Sequence, residues 1–186
     1  MALFDPIRDY FHRRQAKTLN EQASRVHLVN RRQESHRGNF VFPGTDYFDD
    51  IEVDGQQVGS IVYGVSPLLD RVYISEFEIF TDHRRCGFAQ AALWRLWMQY
   101  QVPMTPMHEV GTSLGFWSKV RERCAAAGVV LTVDIREAHQ EGEKQRWQHL
   151  VPEPEHKRLQ RELMASDEWP EIKARWEAEY GPCLKD

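Results

Sequence analysis

Cysteine is scarce in this chain. Its 186 residues include three, Cys86, Cys124 and Cys183, an odd number with no Cys-x-x-Cys pair. That pattern gives neither a disulfide framework nor a zinc knuckle, and it suits a reducing compartment. No apolar run approaches the roughly 18 residues that a membrane span needs. The opening MALFDPIRDYFHRR lacks an apolar stretch followed by a small-residue cleavage site. A cytoplasmic protein with no membrane partner is expected. The net charge of -4 is too mild for the whole chain to bind nucleic acid by electrostatics alone. The nucleotide-binding signatures Gly-x-Gly-x-x-Gly and Gly-x4-Gly-Lys-Ser/Thr are missing, as is the Gly-x-Ser-x-Gly elbow. His108-Glu109-Val110-Gly111-Thr112 starts like a zinc-protease helix, but Thr112 stands where the second histidine is required, so no metal is expected.

What is present is a globular composition: 41% hydrophobic and 28% charged residues, with six Trp, six Tyr and nine Phe to build a core. Residues 5–36 read as a basic helix with a loose apolar stripe at Ile7, Phe11, Leu19 and Val26 and a break near Leu19-Asn20. Strand signals follow at Asn39–Phe42, Phe48–Val53, Val58–Val65 and Arg71–Phe80, with Asp54-Gly55 as a hairpin turn. The period then changes. Phe88, Ala89, Ala92, Leu93, Leu96, Trp97 and Tyr100 recur at three and four, which predicts an amphipathic helix. Val102–Met107 reads as a strand interrupted by Pro103 and Pro106, Leu114–Ala127 as a helix closed by Gly128, and Val129–Ile135 as a last strand. Beyond it, Pro152-Glu153-Pro154 reads as a linker, and Glu155–Ala165 and Trp169–Tyr180 as helices. Ser166 or Asp167 would cap the second, Pro170 suits its first turn, and Gly181-Pro182 ends it. Its stripe of Trp169, Ile172, Trp176 and Tyr180 should be buried on the core or on a partner. The expected organisation is a helical segment over 1–38 packed on a core over 39–136, with a helical extension over 137–186.

One junction concentrates chemistry. The strand Arg71–Phe80 runs through Thr81-Asp82-His83 into Arg84-Arg85-Cys86-Gly87-Phe88-Ala89, which opens the amphipathic helix. The first N–H groups of a helix have no internal partners, and its dipole favours negative charge there. Gly87, without a Cβ, lets a phosphate approach the backbone. Arg84 and Arg85 add positive charge, so a pyrophosphate is a natural guest.

Here the sequence resembles the GNAT acetyltransferase superfamily. Arg84-x-x-Gly87-x-Ala89 matches its Q/R-x-x-G-x-G/A signature, and the likeness runs from about Val58 to Val130. The resemblance implies an α/β fold with a mixed, mostly antiparallel sheet flanked by helices, here with helical N- and C-terminal extensions. It implies acetyl-CoA as acyl donor. The N–H groups of Arg85, Cys86, Gly87, Phe88, Ala89 and Gln90, beside Arg84, would hold the pyrophosphate, and the N–H at or near Ile79 the thioester carbonyl. In that family pantetheine lies where strands four and five splay apart, and Pro103 and Pro106 would remove ladder donors there.

The acceptor amine must be deprotonated before it attacks. With a pKa near 10.4, about one ammonium in a few thousand is free base at pH 7. Strand alternation places Glu76 and Glu78 on one face, with Phe77 and Ile79 on the other against the helices. The two carboxylates would bind a cationic acceptor and raise each other's pKa, with Glu78 as the base. The family's usual acid, a tyrosine on the next helix, is replaced by Trp117; His108, Ser113 and Ser118 are the substitutes at hand. The acceptor is a small-molecule or protein amine. Two alternatives stand. One is an acyltransferase acting on tRNA or a base, with arginines 8, 13, 14, 25, 31 and 32 on phosphates. The other is an acyl-CoA-binding protein without catalysis. A second copy of the chain is a candidate partner through the terminal helices.

Overall fold

The computed structural model describes residues 5–181; Pro182 and Cys183 lie outside the described residues. Two compact units divide between Leu150 and Val151, next to the Pro-Glu-Pro segment.

The first unit opens with α1 (Asp5–Ala23) and β1 (Val26–Glu34). Strands β2 (Thr45–Val53), β3 (Gln56–Val65) and β4 (Val72–Ile79) follow. After them come α2 (Phe88–Tyr100), β5 (Met104–Pro106), α3 (Leu114–Ala126) and α4 (Glu137–Lys144). The strands form one sheet in the order β1-β2-β3-β4-β5. The first three pairings are antiparallel and β4–β5 is parallel, so the sheet is mixed and mostly antiparallel. Asp54 (φ 51°) and Gly55 (φ 80°) make the β2–β3 turn. Two successive positive φ values match the right-handed twist of a tight hairpin.

Both sheet faces are covered, by different material. Ile61, Val72 and Ile74 pack in one cluster with Leu19 of α1, Leu93 and Leu96 of α2, and Val120 and Cys124 of α3. Burial pushes the Cys124 thiol up to about 11, so it behaves as a small apolar residue. Tyr73 lies between Val72 and Ile74 and points to the opposite face. There it joins Val41 and Trp147 in a second cluster. A polar brace backs that cluster: Tyr73 donates to Glu143, whose carboxylate also takes Arg146, and Arg146 reaches Asp70. Burial pushes the Tyr73 hydroxyl well above the usual tyrosine range, and its bond to Glu143 adds to the shift.

Several expectations are corrected. The basic helix stops at Ala23, and Val26–Glu34 is a strand. Tertiary pairing overrides helical propensity there: Arg31 meets Asp50 and Glu52 of β2, and Arg32 lies 3.9 Å over the Phe48 ring. Asn39–Phe42 is a chain of turns rather than a strand. Its N–H groups bond locally, Asn39 to His36 O and Phe42 to Asn39 O, while Val41 plugs the second cluster. Val129–Ile135 makes only isolated bridges, Leu131 to Met104 and Ile135 to Met107, because Pro103 and Pro106 deny β5 a regular outer ladder. Helix α4, with the 3₁₀ turn Gln145–Leu150 that carries Trp147, was not foreseen in the charged stretch after Ile135. Helix α3 does end at the foreseen glycine: Gly128 has φ 80°, and Val129 N–H returns to Cys124 O at 2.8 Å.

The second unit contains α5 (Glu155–Met164) and α6 (Trp169–Tyr180). Neither Ser166 nor Asp167 caps α6 through its side chain; Glu168 occupies the cap position, and Pro170 lies in the first turn as expected. Nor is the aromatic stripe of α6 buried. Trp176 and Tyr180 touch each other with centroids 5.5 Å apart but remain 46% and 67% exposed. Helices of ten and twelve residues are too small to enclose an apolar core of their own.

Candidate functional site

The junction between β4 and α2 leaves a run of backbone donors unpaired. Arg84 N–H bonds to Thr81 O at 3.3 Å and Ala91 N–H to Gly87 O at 3.1 Å. Between them, the six N–H groups from Arg85 to Gln90 have no partner among the described residues. Three belong to the first turn of α2, where no earlier helical carbonyl is available. The others lie in a loop where Arg85 (φ 65°) and Gly87 (φ 83°) are left-handed. Such alternation turns successive N–H groups toward one concavity, an anion nest. A Cβ at Gly87 would meet nothing within 4 Å, so the turn is open and no side chain plugs it.

This junction forms one end of a cleft of about 840 Å³. Phe77, Ile79 and Phe116 give it an apolar wall, and Arg84, Arg85, Lys119 and Arg123 border it with positive charge. Of the eight residues expected to bind the donor, Ile79, Arg84, Arg85, Gly87, Phe88, Ala89 and Gln90 line the cleft, and Cys86 does not. Cys86 contributes its N–H to the run while its exposed side chain turns away.

The cleft exists because β4 has an open edge. Strand β5 pairs with β4 only over Val72–Ile74. On the other side, Phe80 N–H bonds to Val58 O at 2.9 Å, and Gly59 lies opposite Ile79. In an antiparallel ladder the pair next to a hydrogen-bonded pair turns its N–H and C=O outward. The Ile79 N–H therefore points away from β3, toward the open edge. Its carbonyl does the same, and accepts from Arg84 Nε at 2.9 Å.

Glu76 and Glu78 are exposed on the face opposite Phe77 and Ile79, as alternation dictates. A register shift between Val62 and Tyr63 absorbs Ser75 as an extra residue and keeps both carboxylates on that face. They do not share a site: Glu78 borders the cleft, and Glu76 is outside it. Arg84 Nη2 lies 3.8 Å from the Glu78 carboxylate. Of the candidate acids, Trp117 is buried, with its ring 6.0 Å from that of Phe77. Ser113 lines the cleft, but its hydroxyl donates to Val110 O at 2.8 Å. His108 and Ser118 are exposed and outside the cleft.

Sequence reasoning missed the anchor of the cleft's far wall. Glu109, 4% exposed, takes a two-pronged contact from Arg121 of α3. Its N–H donates to Asp134 at 3.1 Å, and its carbonyl accepts from Arg136 at 3.2 Å. The only sequence cue was the acidic residue of the failed zinc motif. Among the described residues no group of three or more His, Cys, Asp or Glu could hold a metal ion, and no helix is long and apolar enough to cross a membrane. Of the basic residues near the N-terminus, Arg25 pairs with Asp54, Arg31 with Asp50 and Arg32 with Glu34. No protein-family model matches the chain, and no curated protein matches its sequence.

Proposed function

We propose that the cleft binds acetyl-CoA and that the chain is an N-acyltransferase of the GNAT type, acting on an amine of a small molecule or protein. One observation carries this reading: the six consecutive unpaired N–H groups from Arg85 to Gln90 beside a cleft bordered by four cations. Arg85, Cys86 and Gly87 are exposed and Phe88 to Gln90 are half-buried or buried, and an open run of six donors at a helix N-terminus suits a diphosphate. The sheet order, with β4 and β5 parallel and parting after Ile74, gives an extended pantetheine arm a path along the β4 edge to Ile79.

Acetyl-CoA would supply an activated thioester. The chain's own groups would do the rest. Arg85 to Gln90 fix the diphosphate through main-chain donors. The Ile79 N–H donates to the thioester oxygen, which gains negative charge as the amine attacks; a fixed donor at that point lowers the barrier. Glu78, at the border of the cleft, takes the proton from the incoming ammonium. The thiolate of coenzyme A then leaves, and none of the candidate acids named above is placed to protonate it. The buried Trp117 favours a second reading, acyl-CoA binding without transfer.

A thermal shift with acetyl-CoA tests the binding. At 100 times its dissociation constant the ligand should add about 2.7 kcal/mol of stability, and no shift at millimolar concentration would remove the reading. Thiol release across a panel of amines separates the two readings: binding without release supports the second.

A further inference from the structure

The cleft holds more positive charge than a diphosphate alone can neutralise. Arg84 is turned back onto Ile79 O and Glu78. Arg85, Lys119 and Arg123 have no carboxylate partner among the described residues, which leaves three net positive charges. A diphosphate diester brings two negative charges, and the main-chain run with Arg85 serves them. Lys119 and Arg123 belong to a different element. They lie four residues apart on α3, hence on one helix face, and both line the cleft. Arg123 Nη1 donates to the side-chain oxygen of Gln90. Gln90 is 7% exposed and lines the cleft, yet its Nε2 donates to nothing among the described residues. Its amide therefore keeps both N–H donors available to the cleft. A guanidinium has five N–H donors, so Arg123 keeps most of its fork for a ligand.

We infer that Lys119, Arg123 and Gln90 form a second anion subsite, built for a phosphate monoester on the nucleotide end of the donor. A monoester adds about 1.5 to 2 negative charges, which matches the cations left over. Arg123 grips two oxygens and Lys119 adds a point charge. The cleft then selects a 3′-phosphorylated ADP group over the same group lacking that phosphate. This rests on the coenzyme A reading above and adds a selectivity that a diphosphate site alone would not have.

Titration calorimetry of the full chain with coenzyme A and with 3′-dephospho-coenzyme A, at one ionic strength, is the test. Coenzyme A should bind at least tenfold tighter. The Lys119→Gln/Arg123→Gln variant should bring the two ligands within about twofold, because coenzyme A loses more affinity than dephospho-coenzyme A. Lys17→Gln on α1, outside the cleft, should keep the full preference. If the double variant does not fold, Lys119→Gln alone, at an exposed position, should lose at least threefold of the preference. Equal binding of both ligands by the unaltered protein overturns the subsite and leaves the donor reading intact. Failure of both ligands to bind overturns both readings. A preference that survives substitution overturns the assignment to these residues.

Discussion

Replacing Glu109 by Gln should cost the first unit about 3 kcal/mol. The Glu109 side chain is 2% exposed and its partner Arg121 is 24% exposed. Removing one member of a buried ion pair leaves the other charge uncompensated, typically at about 3–5 kcal/mol. Arg121 keeps some solvent, which puts the cost at the lower end. Gln keeps shape and one acceptor, so the loss is electrostatic rather than a cavity. At about 2–4 °C per kcal/mol for a chain of this size, the melting temperature should fall by roughly 6–12 °C. Denaturation with two probes would check that unfolding of the unit stays cooperative. The comparison variant Glu109→Leu/Arg121→Leu removes both charges and should cost less than Glu109→Gln. Because Val110, Thr112 and Ser113 of the cleft wall follow directly on Glu109, ligand affinity should fall with stability. A loss below about 1 kcal/mol for Glu109→Gln, or a double variant costlier than the single one, would refute the reasoning.

Gly87→Ala should lower stability by about 1–2 kcal/mol, since a side chain at φ 83° is strained, and should weaken acetyl-CoA binding at least tenfold; calorimetry showing unchanged affinity would count against the diphosphate site. Glu78→Gln should reduce turnover while leaving acetyl-CoA affinity within about twofold, and an unchanged rate would rule out Glu78 as the base. Asp46 is held up to about 6 by burial, helped by Glu34. Its folded pKa exceeds its unfolded one, so its stabilising contribution is full below about pH 4 and is lost as pH rises through about 6. Asp46→Asn should therefore stabilise the protein at pH 7.5 by about 1 kcal/mol after allowance for solvent screening, with no gain at pH 4; thermal melts at the two pH values decide.

The legible parts of the sequence were those where local pattern and tertiary demand agree. The α2 helix, the Asp54-Gly55 hairpin and the alternation of Glu76, Phe77, Glu78 and Ile79 all follow from periodicity and turn chemistry. The unpaired amides were readable because strand, Gly87 and apolar helix are contiguous. The misreadings occurred where distant partners decide. Nothing inside Val26–Glu34 announces that Arg31 will meet Asp50 and Glu52 across a strand pairing. Likewise Trp147 lies in a charged stretch, and only the packing against Tyr73 and Val41 shows why it is there. The placing of Glu76 outside the cleft was hidden too, because face alternation alone puts both carboxylates together.

Among the described residues, strand β1 is the outermost of the sheet on its side, and an outer strand is a template that another chain can pair with. Its composition discourages that. His27, Asn30, Arg31, Arg32 and Gln33 are exposed, and the register slips between Asn30 and Arg32. A like-charged strand docking there would bring arginines against arginines on a kinked template, so fibril-like growth from this border is suppressed. Neutralising Arg31 and Arg32 together should weaken that guard and favour aggregation from this border.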